Sequence, residues 1–257
     1  MSRWSAVKAV VIIPARYGST RLPGKPILEA ARQATGKCLI QHVYERAAQA
    51  TSVDRVIVAT DDERIVQAVR GFGGEARMTR ADHRSGTDRI AEVAVSLDAP
   101  IVVNVQGDEP EIRPEQVEQV VRLLAEDQAA AMGTLAHPIE SEDEWRNPNI
   151  VKVVLDTRGY ALLFSRSPIP YVRDAGGWSS AGPVNPLRHL GIYSYRREFL
   201  LRYSQLPPAP LEMAEQLEQL RALSAGYKIK VGITPYPCVG IDTPEQLQAW
   251  LATYRRR

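Results

Sequence analysis

The chain has 257 residues, of which 44% are hydrophobic and 24% charged, and its formal net charge is +2. This length suffices for one large α/β domain, and the near-neutral charge does not indicate a nucleic-acid-binding protein. No apolar run approaches the roughly 18 residues of a membrane span, so we expect no membrane insertion. The two cysteines, Cys38 and Cys238, form neither a disulfide framework nor a zinc pattern, which favours a reduced, cytoplasmic protein.

The first half of the chain alternates predicted strands with predicted helices. Strands are expected at 8–13, 55–59, 76–78 and 101–105, and helices at 39–50, 62–69, 86–97 and from 114 onward. Asp62 is expected to cap the second of these helices. Such alternation predicts a mostly parallel sheet that is covered by helices on both faces.

The second half has a different pattern, in which strands dominate. Strands are expected at 132–136, 152–155, 160–165, 188–195 and 229–233, and a helix at 211–225. Thr243-Pro244-Glu245 is expected to open the last helix, with Thr243 as its N-cap and Pro244 as its first residue. Residues 168–186 contain four prolines and three glycines, so we expect a long irregular loop there.

The loop after the first strand carries three cations, Arg16, Arg21 and Lys25, together with two glycines. In open α/β sheets, ligands bind beside the carboxyl ends of the strands. Backbone N–H groups of a glycine-containing loop, together with arginine and lysine, suit a triphosphate. This loop therefore predicts a site for a polyanion.

Two aspartates follow strand-like segments and are candidate metal ligands. Asp108 lies in Gln-Gly-Asp-Glu-Pro after the 101–105 strand, and Asp242 directly precedes the last helix. Magnesium bound to a nucleotide takes one or two carboxylates besides phosphate oxygens. An aspartate before a helix is commonly only a cap or a turn residue. The spacing alone does not establish that the two carboxylates meet.

Ordered motifs along nearly the whole chain resemble those of the 3-deoxy-manno-octulosonate cytidylyltransferase family, also called CMP-Kdo synthetases. The first block alone, Ile-Pro-Ala-Arg-Tyr-Gly-Ser-Thr-Arg-Leu-Pro-Gly-Lys-Pro at 13–26, suits several nucleotidyltransferases, whereas the ordered set is specific. The other blocks are at 58–62, 78–89, 104–110, 147–149, 164–167, 188–193, 217–221 and 240–245.

The resemblance implies a fold and a reaction. The implied fold is a three-layer α/β/α sandwich with a mixed, mostly parallel sheet, as in nucleotide-diphospho-sugar transferases, and a smaller dimerisation element. One domain would cover 1–257, with 1–130 mainly binding CTP and 131–257 mainly binding sugar and forming a homodimer. The implied reaction joins CTP to Kdo, an eight-carbon acidic sugar, with Mg²⁺ as cofactor. Its products are pyrophosphate and CMP-Kdo, which feeds lipopolysaccharide synthesis.

The resemblance also implies roles for individual residues. Arg16, Arg21 and Lys25 would hold the triphosphate, Asp108 and Asp242 would bind Mg²⁺, and all of these except Arg21 would be catalytic. Arg80, Ser85 and Gly86 would recognise cytosine, and Gln106 would face the ribose or the sugar. The implied sugar site consists of Gln106, Arg166, His189, Tyr193, Glu218 and Gln219. Each has a plainer reading, such as a helix cap for Ser85 or a core position for Tyr193.

Other functions remain open at this point. An enzyme that activates another sugar acid with CTP, such as sialate or an amino-substituted Kdo, would share the nucleotide loop. An NAD-dependent oxidoreductase is disfavoured because the first loop lacks G-x-G-x-x-G. A non-catalytic module would bind CTP without releasing pyrophosphate. The chain departs from the family pattern at 30–35, which read as extra residues, and at Cys38, where a proline is usual.

Overall fold

The computed structural model describes residues 8–18, 22–83, 85–179 and 184–254. Arg21, which was predicted to contact the triphosphate, lies outside these residues. The chain divides into two compact units. Unit 1 comprises Met1–Glu118 and Cys238–Arg257, and unit 2 comprises Gln119–Pro237. The prediction of a single domain remains a prediction.

Unit 1 contains a parallel sheet in the order β3-β2-β1-β4. The strands are β1 (Ala9–Ala15), β2 (Val53–Thr60), β3 (Glu75–Met78) and β4 (Ile101–Asn104). β1 is buried along almost its whole length because it pairs with β2 on one side and with β4 on the other. Its carboxyl end therefore leads directly from the core into the cationic loop.

The helices of unit 1 follow the predicted strand–helix alternation. They are α1 (Glu29–Thr35), α2 (Leu39–Ala47), α3 (Glu63–Gly71), α4 (Gly86–Val95) and α10 (Pro244–Tyr254), while α5 (Pro114–Glu126) begins in this unit. Asp62 caps α3 by accepting the N–H of Arg64 at 3.0 Å, as predicted. The residues at 30–35, which read as extra relative to the family pattern, lie in α1.

The last helix is held in unit 1 by an apolar cluster. Leu247, Trp250 and Leu251 of α10 pack with Ala31 of α1 and Leu39 of α2. Burial of these side chains removes apolar surface from water and fixes α10 against the two N-terminal helices. The segment immediately before α10 is thereby placed within unit 1.

Unit 2 contains a mixed sheet. Its strands are β5 (Met132–Pro138), β6 (Lys152–Leu155), β7 (Ala161–Ser165), β8 (Leu187–Arg196) and β9 (Ile229–Ile233). β5 runs antiparallel to β8 and parallel to β9, and β6 runs antiparallel to β7 and β8. The predicted class, a mixed and mostly parallel sheet with helices on both sides, is confirmed for the described strands of the chain taken together. The dimerisation element remains a prediction.

The prediction of one continuous helix at 211–225 is wrong. Two short helices occupy this region, α8 (Pro210–Glu215) and α9 (Gln219–Ser224). Gln216 separates them because its backbone adopts a left-handed conformation with φ of 53°. Sequence reading also missed α6 (Glu142–Arg146) and α7 (Arg197–Tyr203), which are too short for a periodic pattern to reveal.

The predicted loop at 168–186 is irregular where the structure describes it. Between 168 and 179 it contains one 3-10 turn, Arg173–Ala175, and an isolated bridge between Val172 and Gly177. Residues 180–183 lie outside the described part of the chain. No helix within the described ranges combines the length and the hydropathy that a membrane span requires.

Candidate functional site

Asp108 follows β4 at a point where the backbone passes close to β1. A side chain at Gly107 would place its Cβ 3.1 Å from the carbonyl oxygen of Pro14 and 3.2 Å from Cδ1 of Ile40. Only glycine fits this approach without displacing a neighbour. Gly107 therefore sets the path that brings Asp108 beside the end of β1.

Asp242 is placed by the start of α10. The Gln246 side-chain oxygen accepts the backbone N–H groups of Asp242 at 2.7 Å and Thr243 at 3.0 Å. The Thr243 hydroxyl in turn accepts the Gln246 N–H at 3.3 Å, which makes Thr243 the predicted helix cap. The Asp242 carboxylate is thus not the group that caps the helix.

Lys25 lies between the two aspartates. Its Nζ donates to Oδ2 of Asp108 at 2.6 Å and to Oδ1 of Asp242 at 3.0 Å, and only 14% of its side chain is exposed. Burial by itself lowers the pKa of Lys25, but the two carboxylates outweigh it and hold this pKa above its ordinary value. The structure therefore brings together the two aspartates that the sequence could only name.

The donor set fits a metal ion that is shared with a nucleotide. No group of three or more histidine, cysteine or acidic side chains within the described ranges is arranged to hold a metal. Two carboxylates do converge on one cationic atom, Nζ of Lys25. Because Mg²⁺ takes one or two carboxylates and completes its shell with phosphate oxygens and water, Asp108 and Asp242 suit it.

Glu109 is a further acidic group at this site that sequence reasoning missed. Its side chain is buried, with 7% exposure, and Oε2 has no hydrogen-bond partner among the described residues. Burial and the neighbouring Asp108 raise the pKa of Glu109 to about 7, while a hydrogen bond from Cys238 opposes them. Nothing in Gln-Gly-Asp-Glu-Pro distinguishes this buried carboxyl from an exposed one.

The described residues of the cationic loop on either side of 19–21 meet at Tyr17. The N–H of Gly24 donates to the Tyr17 carbonyl at 2.9 Å, and the Arg64 guanidinium lies over the Tyr17 ring, 3.3 Å from its centre. Gly24 has a φ of +68°, a conformation that favours glycine. Arg16 donates to the carbonyl of His83 at 2.8 Å, so this loop contacts the predicted cytosine-recognition segment.

The predicted cytosine-recognition residues lie at the start of α4. Ser85 caps this helix by accepting the Asp88 N–H at 3.1 Å, and Gly86 is its first residue. The exposed Arg80 pairs with Asp82 at 2.6 Å.

Hydrogen bonds from Arg89 and Gln106 lie at the ends of the neighbouring strands. Arg89 is fully buried and donates to Asp61 at 2.8 Å and to Thr79, which fixes the ends of β2 and β3. Gln106 donates to the side-chain oxygen of Asn104 at 3.2 Å.

In unit 2, an irregularity in β8 brings two predicted sugar-binding rings together. Consecutive residues Thr134 and Leu135 of β5 pair with Tyr193 and Leu190 of β8, so β8 carries two additional residues at this point. In a regular strand, positions four apart are about 13 Å apart. Here the ring centres of His189 and Tyr193 are 5.3 Å apart. The bulge thus converts two distant strand positions into neighbours.

His189 is uncharged in this setting. Burial lowers its pKa to about 3. Its Nε2 lies 3.0 Å from the Thr134 hydroxyl, whose single hydrogen donates to the Ile192 carbonyl at 2.8 Å. Nε2 therefore carries the ring hydrogen and donates to Thr134, and Nδ1 is left as an acceptor.

The three other predicted sugar-binding residues of unit 2 lie around the break between α8 and α9. The Arg166 guanidinium donates to the carbonyls of Glu215 at 2.7 Å and Pro148 at 3.0 Å. Glu218 is exposed, and Gln219 is buried with 4% exposure and no partner for Nε2 among the described residues. Arg166 is thus engaged in holding backbone segments.

Comparison with known proteins gives the family. A sequence model of the cytidylyltransferase family matches residues 10–229. A 3-deoxy-manno-octulosonate cytidylyltransferase from Syntrophotalea carbinolica is 54% identical over 241 residues, which is 92% of this chain and 94% of that protein. The chain belongs to the 3-deoxy-manno-octulosonate cytidylyltransferase family. The corresponding protein of Geotalea daltonii is 52% identical over 258 residues, covering 98% of this chain and all of the other.

Solved structures agree with this membership of the family. A CMP:2-keto-3-deoxy-manno-octonic acid synthetase complexed with CTP is similar with a TM-score of 0.89 and 50% identity, covering 97% of this chain and 99% of that one. The 4-diphosphocytidyl-2C-methyl-D-erythritol synthase of Anaerococcus prevotii has a TM-score of 0.61 at 16% identity, covering 98% and 97%. The second likeness shows the fold alone. The predicted family is confirmed.

Proposed function

We propose that this protein activates Kdo with CTP, giving CMP-Kdo and pyrophosphate. The observation that carries the proposal is the meeting of Asp108 and Asp242 on one cation, Lys25, beside the loop that follows β1. Membership of the 3-deoxy-manno-octulosonate cytidylyltransferase family supports it. The Kdo C2 hydroxyl attacks the α-phosphorus, the bond to the β-phosphate oxygen breaks, and the hydroxyl proton passes to water.

The residues of unit 1 serve the nucleotide. Mg²⁺ held by Asp108, Asp242 and phosphate oxygens would neutralise developing charge and lower the pKa of the attacking hydroxyl. Lys25 passes from the carboxylates to the β- and γ-phosphates when metal-bound CTP binds, since its flexible stem lets the ammonium turn between neighbouring anions. Arg16 and Arg21 contribute charge to the same phosphates.

Recognition of the base rests on the start of α4. Cytosine differs from uracil by an amino group in place of a carbonyl, which polar side chains and backbone groups can distinguish. Ser85 and Gly86 begin α4 and Arg80 lies five residues before Ser85, while the buried Arg89 keeps this segment in place. Gln106 faces the ribose or the sugar in this proposal.

The residues of unit 2 serve the sugar acid. Neutral His189 offers the acceptor Nδ1 to a sugar hydroxyl, and the nearby Tyr193 offers a phenol group. Gln219 has a buried amide nitrogen whose partner would be a ligand oxygen. Arg166 supplies positive charge for the carboxylate, and Glu218 accepts hydroxyl donors.

The proposal is tested by measuring pyrophosphate release from CTP with Kdo, with an amino-substituted Kdo, and with sialate. We expect release with Kdo that stops on complete chelation of divalent metal. Faster pyrophosphate release with either of the other two acids would show that this acid, and not Kdo, is the substrate. Binding of CTP without any release would show a binding module, and undiminished turnover after chelation would remove the metal from the proposal.

This proposal also includes a homodimer, a cytoplasmic location and the use of CMP-Kdo in lipopolysaccharide synthesis. They rest on the resemblance of the sequence blocks to the family. Sedimentation of the purified protein at several concentrations tests the dimer. A species of the monomer mass of 28.5 kDa at all concentrations would contradict it.

A further inference from the structure

Lys152, the first residue of β6, is a fully buried lysine that neither sequence reading nor the proposed reaction uses. Its Nζ donates to three backbone carbonyls, those of Asn147 at 2.9 Å, Ile150 at 2.7 Å and Arg166 at 2.7 Å. Burial lowers the pKa of Lys152, while the charge of Glu215 opposes this shift. A buried ammonium is costly unless each of its hydrogens is bonded, and here three acceptors match three hydrogens.

The three carbonyls come from two separate segments of unit 2. Asn147 and Ile150 lie between α6 and β6, and Arg166 directly follows β7. One ammonium therefore fixes the loop at 147–150 against the end of β7. An apolar side chain would fill the same space but would leave three buried carbonyls without a donor.

A second layer of contacts extends from Lys152 to the break between α8 and α9. The Glu215 carboxylate accepts the Ser165 hydroxyl at 2.6 Å and the Arg166 N–H at 2.9 Å. The Arg166 guanidinium donates back to the Glu215 carbonyl and to the Pro148 carbonyl. Lys152, Arg166 and Glu215 thus form one cluster, called here the carbonyl cluster, that leads directly into residues 216–219.

We propose that Lys152 is a positioning residue of the sugar-acid site, whose ammonium fixes the segments that present Arg166, Glu218 and Gln219. This inference rests on the proposed function for the identity of the ligand. The ammonium acts through backbone, because its three bonds go to carbonyls. Loss of these bonds frees the 147–150 loop and the end of β7, and the Arg166 guanidinium then loses a fixed position relative to 215–219.

The test replaces Lys152 by methionine, which has a side chain of similar length but no N–H donors. Lys230→Met is the matched control, because Lys230 is also a lysine of a unit 2 strand that bonds a carbonyl, that of Arg158, but its side chain is 24% exposed. In Lys152→Met we expect the KM for Kdo to rise about tenfold or more, with the KM for CTP within about twofold. The control should change neither.

Hydrogen–deuterium exchange of the ligand-free protein gives a readout that does not depend on turnover. We expect faster exchange in 147–150, 165–167 and 215–219 of Lys152→Met, with the strands of unit 1 unchanged. If the wild-type protein does not turn over Kdo, the proposed function fails. The positioning of the three segments by Lys152 still stands in that case, provided that they exchange faster in Lys152→Met than in wild type. If Kdo is turned over and neither KM nor exchange changes in the variant, the inference is overturned.

Lys152→Gln provides a second variant in case the methionine variant does not fold. Its amide retains two N–H donors, so the KM for Kdo and the exchange should change in the same direction but less. Faster exchange throughout unit 2, or failure of both variants to fold, would show a general structural role and would overturn the inference.

Discussion

The backbone N–H of Ile241 donates to the carbonyl oxygen of Asp108 at 2.9 Å. This hydrogen bond joins the segment after β4 to the segment before α10, although the whole of unit 2 separates them in sequence. Because Asp242 directly follows Ile241, the same bond sets its carboxylate beside that of Asp108. The proposed metal site therefore depends on backbone pairing as well as on its two acidic side chains.

Asp242→Asn should abolish most metal-dependent turnover. The substitution keeps the shape of the side chain but removes its charge, so kcat/KM for pyrophosphate release should fall by about 100-fold or more. Asp98→Asn, an exposed aspartate of unit 1, is the control and should retain full activity. Activity of Asp242→Asn within about threefold of wild type would rule out a catalytic role.

Lys25→Met should strengthen metal binding in the absence of nucleotide. The ammonium contacts the same two carboxylates that we assign to Mg²⁺, so it competes with the ion for them. Removal of this competition should tighten binding by about tenfold, equivalent to about 1.4 kcal/mol. Isothermal titration with Mg²⁺ or Mn²⁺ measures the change, and unchanged affinity in the variant would show that the metal binds elsewhere.

His42 should make the folded protein sensitive to mild acid. Burial lowers the pKa of His42 from 6.5 to about 4, and nearby Lys37 adds to this shift. The unfolded chain therefore binds more protons, so stability is complete above pH 6.5 and is lost as pH falls from 6.5 towards 4, by up to about 3 kcal/mol. Urea unfolding between pH 4 and 8 measures this slope.

His42→Gln should reduce that slope, whatever its cost at neutral pH. The slope that is left is expected from His189, because burial also lowers its pKa, to about 3. Tyr254→Phe is the matched comparison, because it removes the hydroxyl that bonds Nδ1 of His42 but leaves the imidazole in place. Its stability should still fall with acid. An unchanged slope in His42→Gln would assign the acid sensitivity to other groups.

Gly107→Ala should destabilise unit 1 and impair the metal site. The added methyl group would lie 3.1 Å from the Pro14 carbonyl oxygen. Pro14 belongs to β1, so its carbonyl group cannot move away without shifting that buried strand. We expect a loss of about 1–3 kcal/mol in the free energy of unfolding. Gly71→Ala is the control, because its Cβ meets nothing within 4 Å, and its stability should be unchanged or slightly higher.

Gln216→Gly should stabilise the protein. Gln216 adopts a left-handed backbone with φ of 53° between α8 and α9, which costs a residue with a Cβ about 1 kcal/mol. The glycine variant should gain about 0.5–1 kcal/mol, while Gln216→Val should lose a similar amount. Denaturant midpoints measure both, and a loss of stability in the glycine variant would contradict the backbone explanation.

The sequence determined most of the elements and the family. The buried run that becomes β1 predicts a strand that ends in cations, and Asp62 and Thr243 mark helix starts that the structure confirms. These features are local, because a cap or a buried strand depends on neighbouring residues. The ordered motifs were sufficient to identify the family, because each motif is recognised from contiguous residues and the whole set in its order is specific.

Only the tertiary structure decided which of these residues meet. The bulge in β8 that joins His189 to Tyr193, the burial of Glu109 and the bonds of Lys152 all depend on residues distant in sequence. The helix expected at 211–225 breaks at Gln216, although its apolar spacing continues through the break. A pattern along one chain records how each residue prefers to fold with its neighbours, whereas the pairing of remote segments depends on the free energy of packing the whole chain.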